Sequence, residues 1–308
     1  MNSHLRGVLF VLSAAVLWSF SGVGVKRLPE LGPLAITGWR SLFTLPMVMG
    51  ALFWVTRGIR PGITRFRMGV CHPAVWGSAL SYAAMLMMFI TATKWTTAAN
   101  AILLQYTAPL FTAILSWPML GERVCGREWC ALSGVLLGMA FFFGEQLSAD
   151  GFWGNVLAIA SGIACALNTL FLRRVSISTQ ASPDGLLLSL PATVLGNLLI
   201  VLFCLPSMVT GVPTDAASWL LLAALGLFQL GLPYVLFNFG LRYVTAVEGI
   251  LFATIEAVLN PIWTALGAGE HPSLIAMAGG CLILGSVMLY GWFRHEESHS
   301  PCLPSSGK

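Results

Sequence analysis

The sequence predicts an all-α integral membrane protein of ten transmembrane helices, arranged as two inverted five-helix repeats. Three observations carry this expectation. The composition is 57% hydrophobic and 9% charged, with a mean hydropathy of +0.82, outside the range of domains that fold in water. Ten apolar runs, each near the roughly 20 residues that a bilayer core requires, follow one another with short polar connectors. A single shift of the chain on itself aligns separated landmarks of its two halves.

The runs are Gly7 to Val25, Pro33 to Val55, Val70 to Ala92, Ala98 to Trp117 and Trp129 to Gly144 in the first half. In the second they are Phe152 to Leu172, Leu186 to Leu205, Trp219 to Leu241, Thr245 to Leu266 and Leu274 to Phe293. Of the 16 basic and 12 acidic residues, only Arg40, Glu248 and Glu256 fall inside them. Pro46, Pro109, Pro191, Pro233 and Pro261 lie within runs, where a membrane helix tolerates proline as a kink. With the N-terminus inside, Arg6, Arg57, Arg60, Arg65, Arg67, Arg123, Arg127, Arg173, Arg174, Arg242, Arg294 and Lys308 face the cytoplasm, against Lys26, Arg27 and Lys94 outside. That asymmetry places both termini in the cytoplasm and the chain in the cell inner membrane. The scattered basic residues form no aromatic-interleaved patch, which excludes nucleic acid as a partner. Seven cysteines form no CxxC pair and no Cys/His ligand spacing, so no metal or other cofactor is expected.

The repeat appears at an offset of 148 residues. Lys26 falls on Arg174, Phe89 on Phe237, Lys94 on Arg242, Trp95 on Tyr243, Thr97 on Thr245 and Gly121-Glu122 on Gly269-Glu270. Apolar runs match by chance, but charged and aromatic pairs at one constant shift do not. Each copy then holds five spans, and an odd number makes the second copy start on the opposite face. Residues 7–144 form one repeat and 152–293 the other, with 294–308 a cytoplasmic tail. Inverted repeats are a recurrent architecture of alternating-access carriers, with the substrate near the midplane between halves.

The stretch Ala92-Thr-Lys-Trp-Thr-Thr-Ala-Ala resembles the EamA family of the drug/metabolite transporter superfamily. So do the run Ile102-Leu-Leu-Gln-Tyr-Thr-Ala-Pro closing in Gly121-Glu122-Arg123 and the run Glu256-Ala-Val-Leu-Asn-Pro-Ile-Trp closing in Gly269-Glu270. The resemblance implies ten helices, cytoplasmic termini and carriage of small metabolites such as amino acids, sugars or nucleosides, often outward. It also implies that the fifth and tenth helices lie away from the cavity, where they could form a homodimer contact. Many relatives carry Glu-Pro where this chain has Glu256-Ala257, so the kink of the ninth helix is expected to be displaced toward Pro261.

Ionisable groups in a bilayer cost several kcal/mol unless paired or facing a polar interior, which makes them functional candidates. Glu256 is the foremost, as a ligand for a cationic or hydroxylated group or as a proton carrier; a structural tether is the competing role. Glu248, Phe252, Glu256 and Asn260 recur every four residues and predict one cavity-lining face, with Glu248, near the cytoplasmic end, expected as an interfacial cap or salt-bridge member. Arg40 has the chemistry to bind a carboxylate bidentately, or to snorkel or pair structurally. Trp18, Tyr82, Gln105, Tyr106, Asn168, Tyr234 and Asn238 complete the candidate substrate site, although such residues also hold membrane helices together. Glu122 and Glu270 are expected to anchor loops, and Ser133, Gly134 and Gly138 to permit close helix packing.

The expected function is therefore secondary transport of a small organic solute. The sequence holds no Walker phosphate loop, which argues against an ATP-driven pump. An intramembrane enzyme of protease or lipid-modifying type is the competing class, and neither HExxH nor GxSxG is present to support it.

Overall fold

The computed structural model describes residues 3–20, 27–28, 30–144, 151–178, 188–268 and 273–296, and these are helical apart from short connections. The helices are α1 (Ser3–Trp18), α2 (Pro33–Val55), α3 (Ile59–Val70), α4 (Pro73–Trp95), α5 (Ala98–Gln105), α6 (Ala108–Leu120) and α7 (Gly126–Gly144) in the first half. The second half holds α8 (Phe152–Ser178), α9 (Ser189–Thr210), α10 (Ala216–Ala224), a π-helical segment Leu225–Gly231, α11 (Leu232–Gly240), α12 (Ala246–Ala253), α13 (Ile255–Ala268) and α14 (Leu274–Glu296).

Five stretches are by themselves long and apolar enough to cross a bilayer: α4, α8, α9, the continuous Ala216–Gly240, and Leu274–Phe293 within α14. The pair α2 and α3, bent by 110°, makes a sixth candidate. The sequence predicts ten, and the difference has local causes. Runs four and nine are each broken into two short helices, at Tyr106-Thr107 and at Thr254. The described part of α1 has 16 residues, and α7 opens on Arg127 and Glu128. Residues 59–69, read from sequence as a connector, form with Val70 the separate helix α3.

Prolines explain several boundaries. Pro33, Pro73 and Pro109 occupy first-turn positions, where a missing N–H costs nothing and the fixed φ favours the helix. Pro109 therefore opens a helix rather than kinking one, whereas Pro46 lies inside α2 and Pro233 follows the π segment within the continuous Ala216–Gly240. His72 caps α4 by accepting from the Ala74 backbone N–H at 3.3 Å, which moves the start of that span from Val70 to Pro73.

The two halves repeat each other in three dimensions. Thr97 caps α5 by accepting from the Asn100 N–H, and 148 residues later Thr245 caps α12 by accepting from the Glu248 N–H. Both capped helices end after eight residues. Helix packing obeys the same exchange: α4 on α8 has its counterpart in α11 on α1, and α9 on α4 in the π segment on α2. The pairs α2 with α9 and α7 with α14 are their own counterparts.

Fully buried Val11, Leu132, Met139, Leu241, Leu251 and Ile283 join α1, α7, α11, α12 and α14 in one apolar cluster. The outer surface exposes Trp54, Trp117, Phe203, Leu220 and Trp292, each more than 60% accessible. Such a surface suits lipid, and in lipid helices associate through close packing and polar tethers. The pair α7 and α14 shows the packing: a Cβ at Gly138 would stand 2.8 Å from the Gly279 carbonyl oxygen, so the backbones approach directly.

The tethers gather at the helix ends. Arg173 on α8 donates through Nε to Glu122 Oε1 at 2.7 Å and through a terminal nitrogen to the Leu241 carbonyl at 2.7 Å. The second carboxylate oxygen of Glu122 accepts from the Ala246 N–H at 3.1 Å. Glu122 thus ties α6, α8 and the α11-to-α12 turn, the loop-anchoring role expected for it; Glu270 lies outside the described residues. Glu248 completes a capping box with Thr245 and meets His4 Nε2 at 3.1 Å and the Tyr290 hydroxyl at 2.9 Å.

Candidate functional site

Arg40 stands about a third of the way along α2, where Thr44 one turn on bonds both the Arg40 carbonyl and the Gly226 carbonyl at 2.9 Å. Gly226 permits this closeness, since a Cβ there would press on the Arg40 carbonyl oxygen at 2.7 Å. The guanidinium donates to Gln229 Oε1, and Gln229 Nε2 donates to the Trp18 carbonyl at 3.0 Å. Arg40 Nε is buried with no hydrogen-bond partner among the described residues. An unsatisfied N–H in a buried charged group costs more than the roughly 1–3 kcal/mol of a neutral one, so this position is suited to an acceptor from outside the chain.

Glu256 lies in the first turn of α13, just past the Thr254 break. Arg40, Tyr106, Cys165 and Glu256 all lie deep within the protein, yet each keeps accessible surface. Arg40, Tyr106 and Cys165 each lie within the electrostatic reach of Glu256, so the four share one internal space, to which Arg40 and Tyr106 come from the first repeat and Cys165 and Glu256 from the second. Arg40 and Glu256 lie within each other's electrostatic field. Among the described residues no side chain donates a hydrogen bond to the Glu256 carboxyl, and it forms no ion pair with Arg40.

One wall of this region is aromatic. Tyr234 meets Trp18 edge-on with centroids 5.0 Å apart and Tyr82 edge-on at 4.8 Å, while Phe237 lies 5.3 Å from Trp18. Edge-to-face stacking holds the rings rigid. The Tyr82 hydroxyl donates to Asn197 Oδ1 at 3.4 Å, which orients it from α9.

The residues singled out from sequence divide into two groups. Arg40, Glu256, Tyr106, Trp18, Tyr82 and Tyr234 come together. Gln105, Asn168 and Asn238 instead serve as tethers: Gln105 donates to Ser161 at 2.8 Å, Asn168 accepts from Ser78 at 2.7 Å, and Asn238 donates to Thr193 at 3.2 Å and to the Tyr234 carbonyl at 2.7 Å. The side chain of Asn260 lies outside the described part of the structure. The break at Thr254 also divides the face predicted to run from Glu248 to Asn260. Glu248 is 1% exposed and serves as a cap, and Phe252 packs on Tyr290 with centroids 6.0 Å apart, so of the described members only Glu256 borders the internal space.

Sequence reasoning passed over Gln229 and Cys165. Gln229 is the lone amide between Trp219 and Leu232, a signal that was present. Its five-residue spacing to Tyr234 does not fit an α-helical face, and the π turn with its extra residue supplies the missing alignment. Among the described residues no group of three or more His, Cys, Asp or Glu side chains gathers around a point that could hold a metal ion.

A protein-family model described as the EamA-like transporter family matches residues 5–144 and again 152–292. An uncharacterized transporter of Archaeoglobus fulgidus is 27% identical over 307 residues, spanning 96% of this chain and all of that one. The riboflavin transporter ImpX of Fusobacterium nucleatum is 22% identical over 308 residues, covering 94% and 98% of the two chains. Human solute carrier family 35 member G1 is 23% identical, covering 94% of this chain and 81% of its own length. One crystal structure superimposes with a TM-score of 0.77 at 18% identity, over 94% of this chain and 98% of the other, a likeness of fold.

Proposed function

The chain belongs to the EamA-like transporter family and is a multi-pass membrane transporter, and from that premise we propose that it is a secondary carrier of a small organic metabolite, working outward across the inner membrane by alternating access. In this reading ten spans form two inverted halves, residues 7–144 and 152–293, with both termini cytoplasmic. The broken runs four and nine count as one span each, in the manner of the discontinuous helices that line carrier sites.

The observation that carries the proposal is the meeting of Arg40 and Glu256 at one internal space supplied by both repeats. The unpaired Nε of Arg40 calls for a carboxylate or carbonyl oxygen, and Glu256 for an ammonium or hydroxyl donor. Tyr234, Tyr82 and Trp18 offer a ring wall for a flat or cationic part. An amino-acid-like or nucleoside-like solute with donor and acceptor at opposite ends satisfies all three, and a sugar satisfies the polar pair. The relative named as a riboflavin transporter handles a planar heterocycle, which agrees with the aromatic wall.

Counterflow in proteoliposomes tests this reading. Vesicles preloaded with one solute at a time, from a panel of amino acids, nucleosides and sugars, should show exchange with a small chemically related subset. An empty result across the panel would remove the carrier reading. A homodimer through the fifth and tenth helices is also proposed, on their outward side: Gly138 is already covered by α14 of the same chain, while Leu137, Phe141, Met288 and Leu289 are exposed.

A further inference from the structure

The helix α3 has no counterpart in the second repeat. The 148-residue shift carries residues 59–70 onto 207–218, which hold the end of α9, a connector and the start of α10, with no lysine or arginine. Alternating access between two halves therefore does not account for α3. Ile59, Ile63, Phe66 and Val70 recur every three or four residues and form an apolar stripe, with Ile59 63% and Ile63 48% exposed. Arg60 and Arg67 are exposed along one flank of the stripe, one turn either side of Ile63, Arg57 is exposed in the turn before the helix, and Arg65 leans on Met68. Between Glu30 and Glu122 the chain carries no acidic residue.

The helix is held in place from beneath. Gly62 lies against Phe53 at the end of α2, and Gly69 lies against Pro191 of α9, where a Cβ would come within 2.7 Å of the proline ring. With the 110° bend from α2, this seating lays α3 across the end of the bundle rather than along it. A basic amphipathic helix in that attitude is the form that sits at the headgroup level of a membrane.

A second, independent feature adjoins it. A groove of about 480 Å³, almost wholly apolar, runs along α2 past Pro46, Met47, Gly50 and Trp54, with Leu232 and Phe239 on its far side. Gly50 leaves its floor open, with no atom within 4 Å of a would-be Cβ. Trp54, 78% exposed, ends the groove three residues before Arg57. An almost wholly apolar groove with exposed arginines beyond its end matches the two parts of one molecule.

We propose that α3, Arg57 and this groove together bind an anionic phospholipid, its acyl chain along α2 between Pro46 and Trp54 and its phosphate on Arg57, Arg60 and Arg67. The charge of the headgroup complements the arginines, and a phosphate accepts from guanidinium as readily as a carboxylate does. The site does not involve the internal space of Arg40 and Glu256, and its occupancy is independent of which solute is carried.

The test is native mass spectrometry of the full-length chain purified in mild detergent and offered equal phosphatidylglycerol and phosphatidylethanolamine. Wild type should retain the anionic lipid at least about tenfold over the zwitterionic one. Replacing Arg57, Arg60 and Arg67 together by Gln should abolish that preference, while Lys at all three should keep most of it. Gly50→Trp, which fills the groove from an open surface position, should lower retention several-fold with the arginines intact. Millimolar inorganic phosphate should not displace the lipid. Unchanged preference in the Gln variant, unchanged retention in Gly50→Trp, or displacement by free phosphate would each overturn the proposal, as would a Gly50→Cys disulfide joining two copies through the groove. Should the Gln variant fail to fold, Gly50→Trp and the phosphate competition decide the matter.

Discussion

Replacing Glu122 by Gln should loosen the arginine-rich end of the bundle without touching the internal space. In the folded protein its two carboxylate oxygens serve two donors, Arg173 Nε at 2.7 Å and the Ala246 N–H at 3.1 Å, and both side chains of the ion pair are less than one-fifth exposed. A hydrogen bond to a charged group contributes about 1.5–3 kcal/mol, and a negative charge at a helix N-terminus a further ~0.3–1 kcal/mol. Glutamine offers one neutral acceptor where the carboxylate offers two charged ones, so the expected loss is about 2 kcal/mol, roughly 30-fold in a two-state equilibrium. If this junction closes one face of the carrier, that loss becomes opening. Cys165 borders the internal space and reports it: as the sole cysteine, it should react with a membrane-impermeant maleimide at least about tenfold faster when the reagent is on the Glu122 side. Arg173→Gln should do more, because Arg173 also holds the Leu241 carbonyl at 2.7 Å. A labelling rate within about threefold of wild type, in a variant that still elutes as a single species, would refute the idea that this junction controls access.

Glu256→Gln should reduce solute exchange in proteoliposomes by an order of magnitude or more, and if it keeps the wild-type response to an imposed pH gradient, Glu256 carries no coupling proton. Gly279→Val should push α14 off α7, since even a Cβ there would stand 2.6 Å from the Phe142 backbone nitrogen; overpacking of this kind costs ~1–3 kcal/mol and should show as a lower unfolding midpoint in detergent. Thr245→Val removes the cap of α12 and should cost about 1 kcal/mol, read in the same thermal assay. Leu137→Cys should cross-link between copies if the proposed dimer forms, whereas Gly138→Cys should not, because α14 of the same chain covers it.

The membrane class, the repeat and its offset are local properties of the chain, and they were legible residue by residue. Apolar run length follows from bilayer thickness, and the 148-residue shift that aligns Thr97 with Thr245 in sequence aligns two helix caps in space. Arg40 and Glu256 stood out because a charge in an apolar run needs a reason wherever the chain carries it. The choice among polar residues was another matter. Gln105, Asn168 and Asn238 sit in runs just as Tyr106 and Tyr234 do, and only the facing helix decides whether an amide finds Ser161, Ser78 or Thr193 within bonding distance. The break at Thr254, which separates Glu248 from Glu256, and the π turn, which brings Gln229 to Arg40, change the angular phase of a helix by a residue or less. A shift that small leaves no mark in hydrophobic periodicity, so tertiary packing alone determined which side of each helix meets the internal space.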